Sequence, residues 1–305
     1  EVIDAEQNTD IPLIVGSQRS SNIIYEKARE LYLAGEIGEL NFVEGYWDRL
    51  SATGAWQYSI PPGASAENVN WEKFRKDLPE IPFNAKHFFR WRNYQDYGTG
   101  VSGDLFVHLF SGMHMILDSL GPNRIMATGG LRYWRDGRDV ADVMLGLFDY
   151  PETESHPEFN LSLRVNFADG SGGGSRIRMI GSEGEMDIEW NRMVLRKATM
   201  SEVPGMTIGD FSEETREEYE EYHQEKYPRQ RARIIEPREF EYLAPEGYHD
   251  QYDHFVNFFK AIREDEPILQ DASYGLRAAG PALLANTSQQ EQRIINWDPD
   301  AMRVV

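Results

Sequence analysis

Asp104 and His108 lie four residues apart in Gly103-Asp104-Leu105-Phe106-Val107-His108, and Ser111 falls on the same face if the stretch is helical. Side chains at that spacing on a helix have Cβ atoms about 5–6 Å apart. An aspartate there can hold an imidazole in one orientation and stabilise its charged form, as a general base acting on a sugar hydroxyl requires. The spacing also has a plainer reading, in which Asp104 caps the helix and His108 is a satisfied core histidine among Leu105, Phe106, Val107, Leu109 and Phe110. On spacing alone the plainer reading is the stronger.

His87, Arg90, Trp91, Arg92, Tyr94 and Tyr97 cluster just before this stretch. Aromatic faces mixed with forked donors suit a polyhydroxylated ring, and they suit a structural loop equally. Gly98-Thr99-Gly100-Val101-Ser102-Gly103 has the spacing of a dinucleotide fingerprint, which makes Gly100 and Gly103 weak candidates for a phosphate. The fingerprint needs a buried apolar strand before it, and Phe88 to Tyr97 is not one, so the glycines read as a turn feeding a tightly packed helix. His249 and His254 stand about 140° apart on a helix, a poor geometry for one metal ion, so no metal site is expected. Asp250 and Asp253 read as helix-start charges. Walker loops, nucleophile elbows and zincin motifs are missing from the sequence.

The elements that must position these residues follow from periodicity. Gly103 to Leu120 is apolar nearly all round and is predicted to be a buried helix closed by Gly121-Pro122. Leu161, Leu163, Val165 and Phe167 alternate with polar residues, as do Met186, Ile188 and Trp190, which predicts an antiparallel sheet with one wet face. Further strands are expected at Leu40 to Trp47, Arg124 to Trp134, Val143 to Tyr150, Arg176 to Ile180 and Met193 to Lys197. Val143 to Phe148 breaks the alternation, so that strand is expected at the sheet centre or beneath a second layer such as a partner subunit. Ile11 to Gly16 reads as a short strand leading into a helix from Ile23 to Leu33. Ser51 to Pro82 reads as a long excursion with one short helix near Trp71 to Asp77. Phe211 to Arg233 reads as a solvated helix, Tyr248 to Ile262 and Ala272 to Ser288 as amphipathic helices, and Trp297-Asp298-Pro299 as an extended tail.

The chain has 305 residues, 40% hydrophobic, with Lys+Arg 31 against Asp+Glu 51 and a formal charge of -20. That charge repels phosphate backbones and anionic membranes, so neither nucleic acid nor membrane is an expected partner. A neutral or cationic substrate fits better. Zero cysteines removes disulfides, thiolate nucleophiles and Cys-type metal sites, and leaves cytoplasm and periplasm equally open.

Several segments together resemble the Gfo/Idh/MocA family (glucose-fructose oxidoreductase and inositol dehydrogenase). They are Val15-Gly16-Ser17-Gln18-Arg19, Gly35-Glu36-Ile37-Gly38-Glu39-Leu40, Gly103 to His108, Gly129 to Arg138, Ile180-Gly181-Ser182-Glu183-Gly184 and Trp297-Asp298-Pro299. The resemblance implies an α+β fold: an open, predominantly antiparallel β-sheet with helices packed on one face. It implies that residues 1–19 are a remnant of the last strand region of a Rossmann domain, and that 20–305 form a substrate-binding and oligomerisation domain. It further implies catalytic roles for Asp104 and His108, with His108 as proton acceptor and Asp104 as its orienting partner. His87, Arg90, Trp91, Arg92, Tyr94 and Ser111 become substrate-binding candidates. Phe106 stands where many members have Gly, and Ser111 where many have a second Asp.

The function so implied is the substrate half of an NAD(P)-dependent oxidoreductase acting on a sugar or cyclitol hydroxyl. NAD or NADP would bind the full-length protein, none is expected to bind this chain alone, and a homo-oligomer through the open sheet face is expected. The alternatives are a non-catalytic sugar-binding or assembly module and a redox-neutral NAD-dependent glycosidase.

Overall fold

Alternation decides which face each strand buries, and ten strands come together on that rule. The structure is a computed structural model that describes residues 1–9, 11–78, 80–197, 205–227 and 238–305. The strands are β1 (Leu40–Asp48), β2 (Arg124–Gly130), β3 (Val143–Tyr150), β4 (Phe159–Asn166), β5 (Gly174–Gly181), β6 (Gly184–Ile188), β7 (Arg192–Lys197), β8 (Arg238–Leu243), β9 (Ile295–Asp298) and β10 (Arg303–Val304). They form one sheet in the order β10-β9-β2-β3-β4-β1-β5-β6-β7-β8. All neighbouring pairs are antiparallel except β1 with β4, where Phe42 stands beside Asn160 and Gly45 beside Leu163. The fold is therefore the expected α+β arrangement, with an open and mainly antiparallel sheet.

Helices α2 (Ile23–Leu33), α5 (Val107–Leu117) and α8 (Ala272–Glu291) pack on one face of the sheet. Asn22 begins α2 by accepting the Ile24 N–H at 2.8 Å. Under the helices, Leu161, Leu163 and Val165 meet Phe106, Phe110, Phe148 and Met113, all nearly inaccessible to water. Phe148 takes Phe106 and Phe110 edge-on, with ring centroids 6.2 and 4.9 Å away. Gly146 makes room for this cluster, since a Cβ there would come within 2.6 Å of the Phe148 ring and 3.2 Å of Phe106. The cluster sets the height of α5 above the sheet, and α5 carries His108 in its first turn.

The other face of the sheet is open. Over β5 to β8 it carries a ladder of cross-strand ion pairs, with Arg196 2.7 Å from Asp187 and 3.0 Å from Glu239. Over β2 and β3 it is apolar: Met126, Leu145 and Leu147 are 45%, 46% and 50% exposed, and Met126 stands opposite Leu147. The unbroken apolar run of β3 thus has one set, Met144, Phe148 and Tyr150, in the core and the other facing outward.

Several sequence expectations are corrected. Residues 11–16 are not a strand; they run extended, with the Val15 N–H donating to the Gln270 carbonyl at 2.8 Å. The buried helix ends at Leu117 rather than near Gly121, because Asp118 takes the left-handed conformation at φ 54°, which an aspartate can adopt where most L residues cannot. Strand β2 stops at Gly130, and the last residues expected as a tail join the sheet through Ile295 beside Ile125. The excursion contains α3 (Trp71–Phe74), α4 (Ala85–Phe89) follows it, and the two share an aromatic nucleus around Trp71, Phe74 and Phe88. Helix α6 (Glu213–Lys226) buries none of its residues, as its composition predicts, whereas residues 228–233 of the expected helix lie outside the described residues. A short helix α1 (Val2–Gln7) precedes residues 11–16, and α7 (Asp250–Glu264) packs against the turn at Gln18–Ser21. No helix among the described residues is long and apolar enough to cross a membrane.

Candidate functional site

A wider turn precedes the first turn of α5. Residues Ser102–Phe106 form a single π-helical turn, a feature found often at functional sites. The glycine-rich loop before it lies against α8. The Ser102 hydroxyl donates to the Asn286 side-chain oxygen at 2.7 Å, and the Asn286 amide donates to the Thr99 carbonyl at 2.6 Å. Gly100 has φ +70°, and a Cβ there would stand 3.0 Å from Asn286; one at Gly103 would stand 3.0 Å from Leu283. Their glycine character thus serves packing, and Ser102 is fully buried.

Asp104 and His108 are brought to one region, but no hydrogen bond joins them. Asp104 Oδ1 accepts from Arg92 Nε at 2.9 Å, and the Arg92 guanidinium carbon lies 4.3 Å from the Trp91 ring centroid. The His108 ring leans on Trp47 of β1, with centroids 5.1 Å apart, and has no hydrogen-bond partner among the described residues. Burial pushes its pKa down to about 4, Arg19 and Arg49 push the same way, and Asp104 pulls against them. At neutral pH the ring is uncharged and open to a proton.

The remaining sequence candidates divide. His87 meets the Tyr97 hydroxyl at 3.2 Å and stacks near Tyr94 at 4.2 Å, while Arg90 donates to the Tyr58 carbonyl at 2.9 Å and to Gln57. These three stitch the excursion together, and none bonds to Asp104 or His108. Asn93, buried beside them, donates to the Trp56 carbonyl at 3.0 Å and ties the residues before α5 to the excursion. Ser111 is completely buried, and its hydroxyl donates to the His108 carbonyl at 3.1 Å, the back-bond a helical serine often makes. The Tyr274 hydroxyl donates to the Ser111 carbonyl.

Sequence spacing gave no sign of the deeper layer. Arg19, 1% exposed, places its guanidinium carbon 3.5 Å from the Trp190 ring centroid and 5.2 Å from Trp47. Asp250 stands in the first turn of α7, as expected of a helix-start charge, and is also fully buried as the counter-ion of Arg19, with Nη1 and Oδ2 3.8 Å apart. These partners lie far from Arg19 in sequence, and only the alternation of β1 and β6 could have pointed to the tryptophans. Both ring nitrogens of His254 are occupied, by the Ser21 hydroxyl at 2.9 Å and the Val15 carbonyl at 3.0 Å. No group of three or more His, Cys, Asp or Glu among the described residues could hold a metal ion.

Comparison with known proteins follows the same lines. The model of the Gfo/Idh/MocA oxidoreductase family, C-terminal alpha/beta domain, matches residues 80–296. An oxidoreductase from Thermotoga maritima is similar in structure at TM-score 0.60 and 14% identity, over 99% of this chain and 67% of that one. An NAD binding oxidoreductase from Klebsiella pneumoniae is similar at 0.59 and 14%, over 96% and 68%. A levoglucosan dehydrogenase, solved in complex with NADH and levoglucosan, is similar at 0.57 and 13%, over 96% and 68%. The chain thus spans about two-thirds of the length of these structures. A search of curated proteins returns no match.

Proposed function

The chain belongs to the Gfo/Idh/MocA oxidoreductase family through the C-terminal alpha/beta domain that its residues 80–296 match, and from that premise we propose that it is the substrate-binding half of an NAD(P)-dependent oxidoreductase acting on a sugar or cyclitol hydroxyl. The observation that carries this reading is His108: a partly buried, uncharged imidazole with no hydrogen-bond partner among the described residues, set between Trp47 and the Asp104–Arg92 pair. His108 accepts the hydroxyl proton as the alcohol is oxidised. Asp104 acts on it through charge, and Arg92 holds Asp104 in place. The faces of Trp47 and Trp91 suit the C–H faces of a sugar ring. A nicotinamide supplies the hydride acceptor when bound, and a dinucleotide-binding domain would hold it. Residues 20–305 are the substrate and assembly domain, and the chain by itself is inactive. The apolar patch of Met126, Leu145 and Leu147 supports self-association through the open face.

The test is NMR of the histidine rings in the chain as it stands. Titration with myo-inositol or glucose should shift the His108 signals saturably, and NADH should shift none. A His108 resonance unmoved by any polyol in such a panel, or NADH binding to the chain alone, overturns the reading.

A further inference from the structure

A buried arginine with an incomplete partner set lies beside His108. Arg19 is 1% exposed, and Asp250, its counter-ion, is fully buried. Their nearest approach is 3.8 Å, too long for a hydrogen bond. Arg19 Nη1 and Asp250 Oδ1 are buried and have no hydrogen-bond partner, while Asn22 donates to Asp250 Oδ2 at 3.1 Å. The guanidinium is held by ring faces instead: Trp190 at 3.5 Å, Trp47 at 5.2 Å and Tyr25 at 5.8 Å. Asp250 at 3.8 Å offsets part of the cation's field without a bidentate clasp, and the rest is delivered through the ring faces. His108 packs its ring on the same Trp47, at 5.1 Å.

We propose that Arg19 is a positioning residue for His108, whose field, delivered from a cage of Trp190, Trp47 and Tyr25, adds to burial in disfavouring a charged imidazole. The proposal rests on the reading of His108 as the proton acceptor. The charged groups that face His108 are Arg19 from the turn at Gln18–Ser21, Arg49 beyond β1 and Asp104 from the π turn. Asp104 is itself paired with Arg92. Arg19 and Arg49 disfavour a charged ring and Asp104 favours it. Because Arg19 and His108 touch one tryptophan, roughly 10 Å or less separates them; at an effective dielectric constant near 20 one charge at that range moves a pKa by roughly one unit.

The experiment follows the His108 ring by NMR through pH in the ligand-free chain, so it reads the proposal without substrate or cofactor. Failure here leaves the polyol titration intact, and failure there leaves this result intact. Arg19→Met should raise the His108 pKa by about one unit, and Arg19→Lys, which keeps the charge and loses the planar stack, should leave it near the wild-type value. Asp104→Asn should move it the opposite way, downward. If Arg19→Met does not fold because Asp250 is left buried and alone, Arg19→Met with Asp250→Asn removes both charges and should still raise the pKa. An unmoved His108 in a folded charge-removing variant refutes the proposal. So does an equal shift in Arg19→Lys and Arg19→Met, which would assign the effect to packing rather than charge.

Discussion

Lowering the pH from 7.5 to 5 should destabilise the fold by about 2 kcal/mol through His114 alone. His114 is 3% exposed; its Nε2 meets the Tyr150 hydroxyl at 2.8 Å and its Nδ1 is buried without a partner. Burial pushes its pKa down to about 3, with His156 and Arg277 acting the same way. In the unfolded chain an ordinary histidine titrates near 6.5. The folded state therefore holds fewer protons than the unfolded state between about pH 6.5 and 3. The stability this group contributes is complete above 6.5 and is lost as pH falls through that window. At pH 5 the gap is roughly one and a half units below the unfolded value, and each unit is worth about 1.4 kcal/mol. Urea unfolding of the wild type and of His114→Gln, at both pH values, isolates the effect, because carboxylate titration is common to the two proteins. The wild type should lose about 2 kcal/mol more than the variant on acidification. Parallel losses in the two proteins would refute the reasoning, because His114 would then titrate alike folded and unfolded.

Two other outcomes follow from packing. Asp142 is fully buried and accepts the backbone N–H groups of Arg132, Tyr133 and Trp134 at 2.6, 2.9 and 2.6 Å; Asp142→Asn replaces one acceptor oxygen by a donor and should destabilise the fold by about 2–4 kcal/mol in chemical denaturation. If the open face joins copies of the chain, Leu145→Glu with Leu147→Glu should shift sedimentation to the monomer while leaving circular dichroism unchanged, and an unaltered assembly would assign the contact to another surface.

What the sequence disclosed was set by how local the signal was. Strands β4 and β6 declare themselves because alternation is a property of adjacent residues, and Val165 or Met186 needs no distant partner to be read as inward-facing. Strand β8 has the same signal, Phe240 and Tyr242 inward and Glu239 and Glu241 outward, but it follows a stretch dense in Arg and Glu whose charge masks it. The run Ile11 to Val15 misleads in the other direction: it pairs with no strand among the described residues, and its Ile11, Leu13 and Ile14 line an apolar cleft with Phe255 and Phe258 of α7. At the site, the Asp104 and His108 spacing was visible, yet the π turn that sets their relation arises from contact with Asn286 on α8. Arg19 was beyond local reading altogether, since its tryptophans belong to β1 and to the segment after β6.

A pKa near 4 makes His108 a weak base by itself, and this bears on whether it can serve an alcohol. Proton transfer efficiency falls when the acceptor is much weaker than the operating pH requires. The free ring is only half the comparison. The same cations that disfavour an imidazolium at His108 also favour negative charge developing on an oxygen bound beside it. In a transfer over the length of one hydrogen bond, the field of Arg19 acts on both ends, raising the energy of the protonated ring and lowering that of the alkoxide-like oxygen. The two effects largely cancel in the transfer equilibrium, whereas only the first enters the pKa of the empty protein. The weak basicity of free His108 is therefore compatible with its acting on a hydroxyl, and it keeps the ring unprotonated before substrate arrives. If His108 is the proton acceptor proposed above, Asp104, paired with Arg92, works against Arg19 and Arg49 and eases the proton onto the ring.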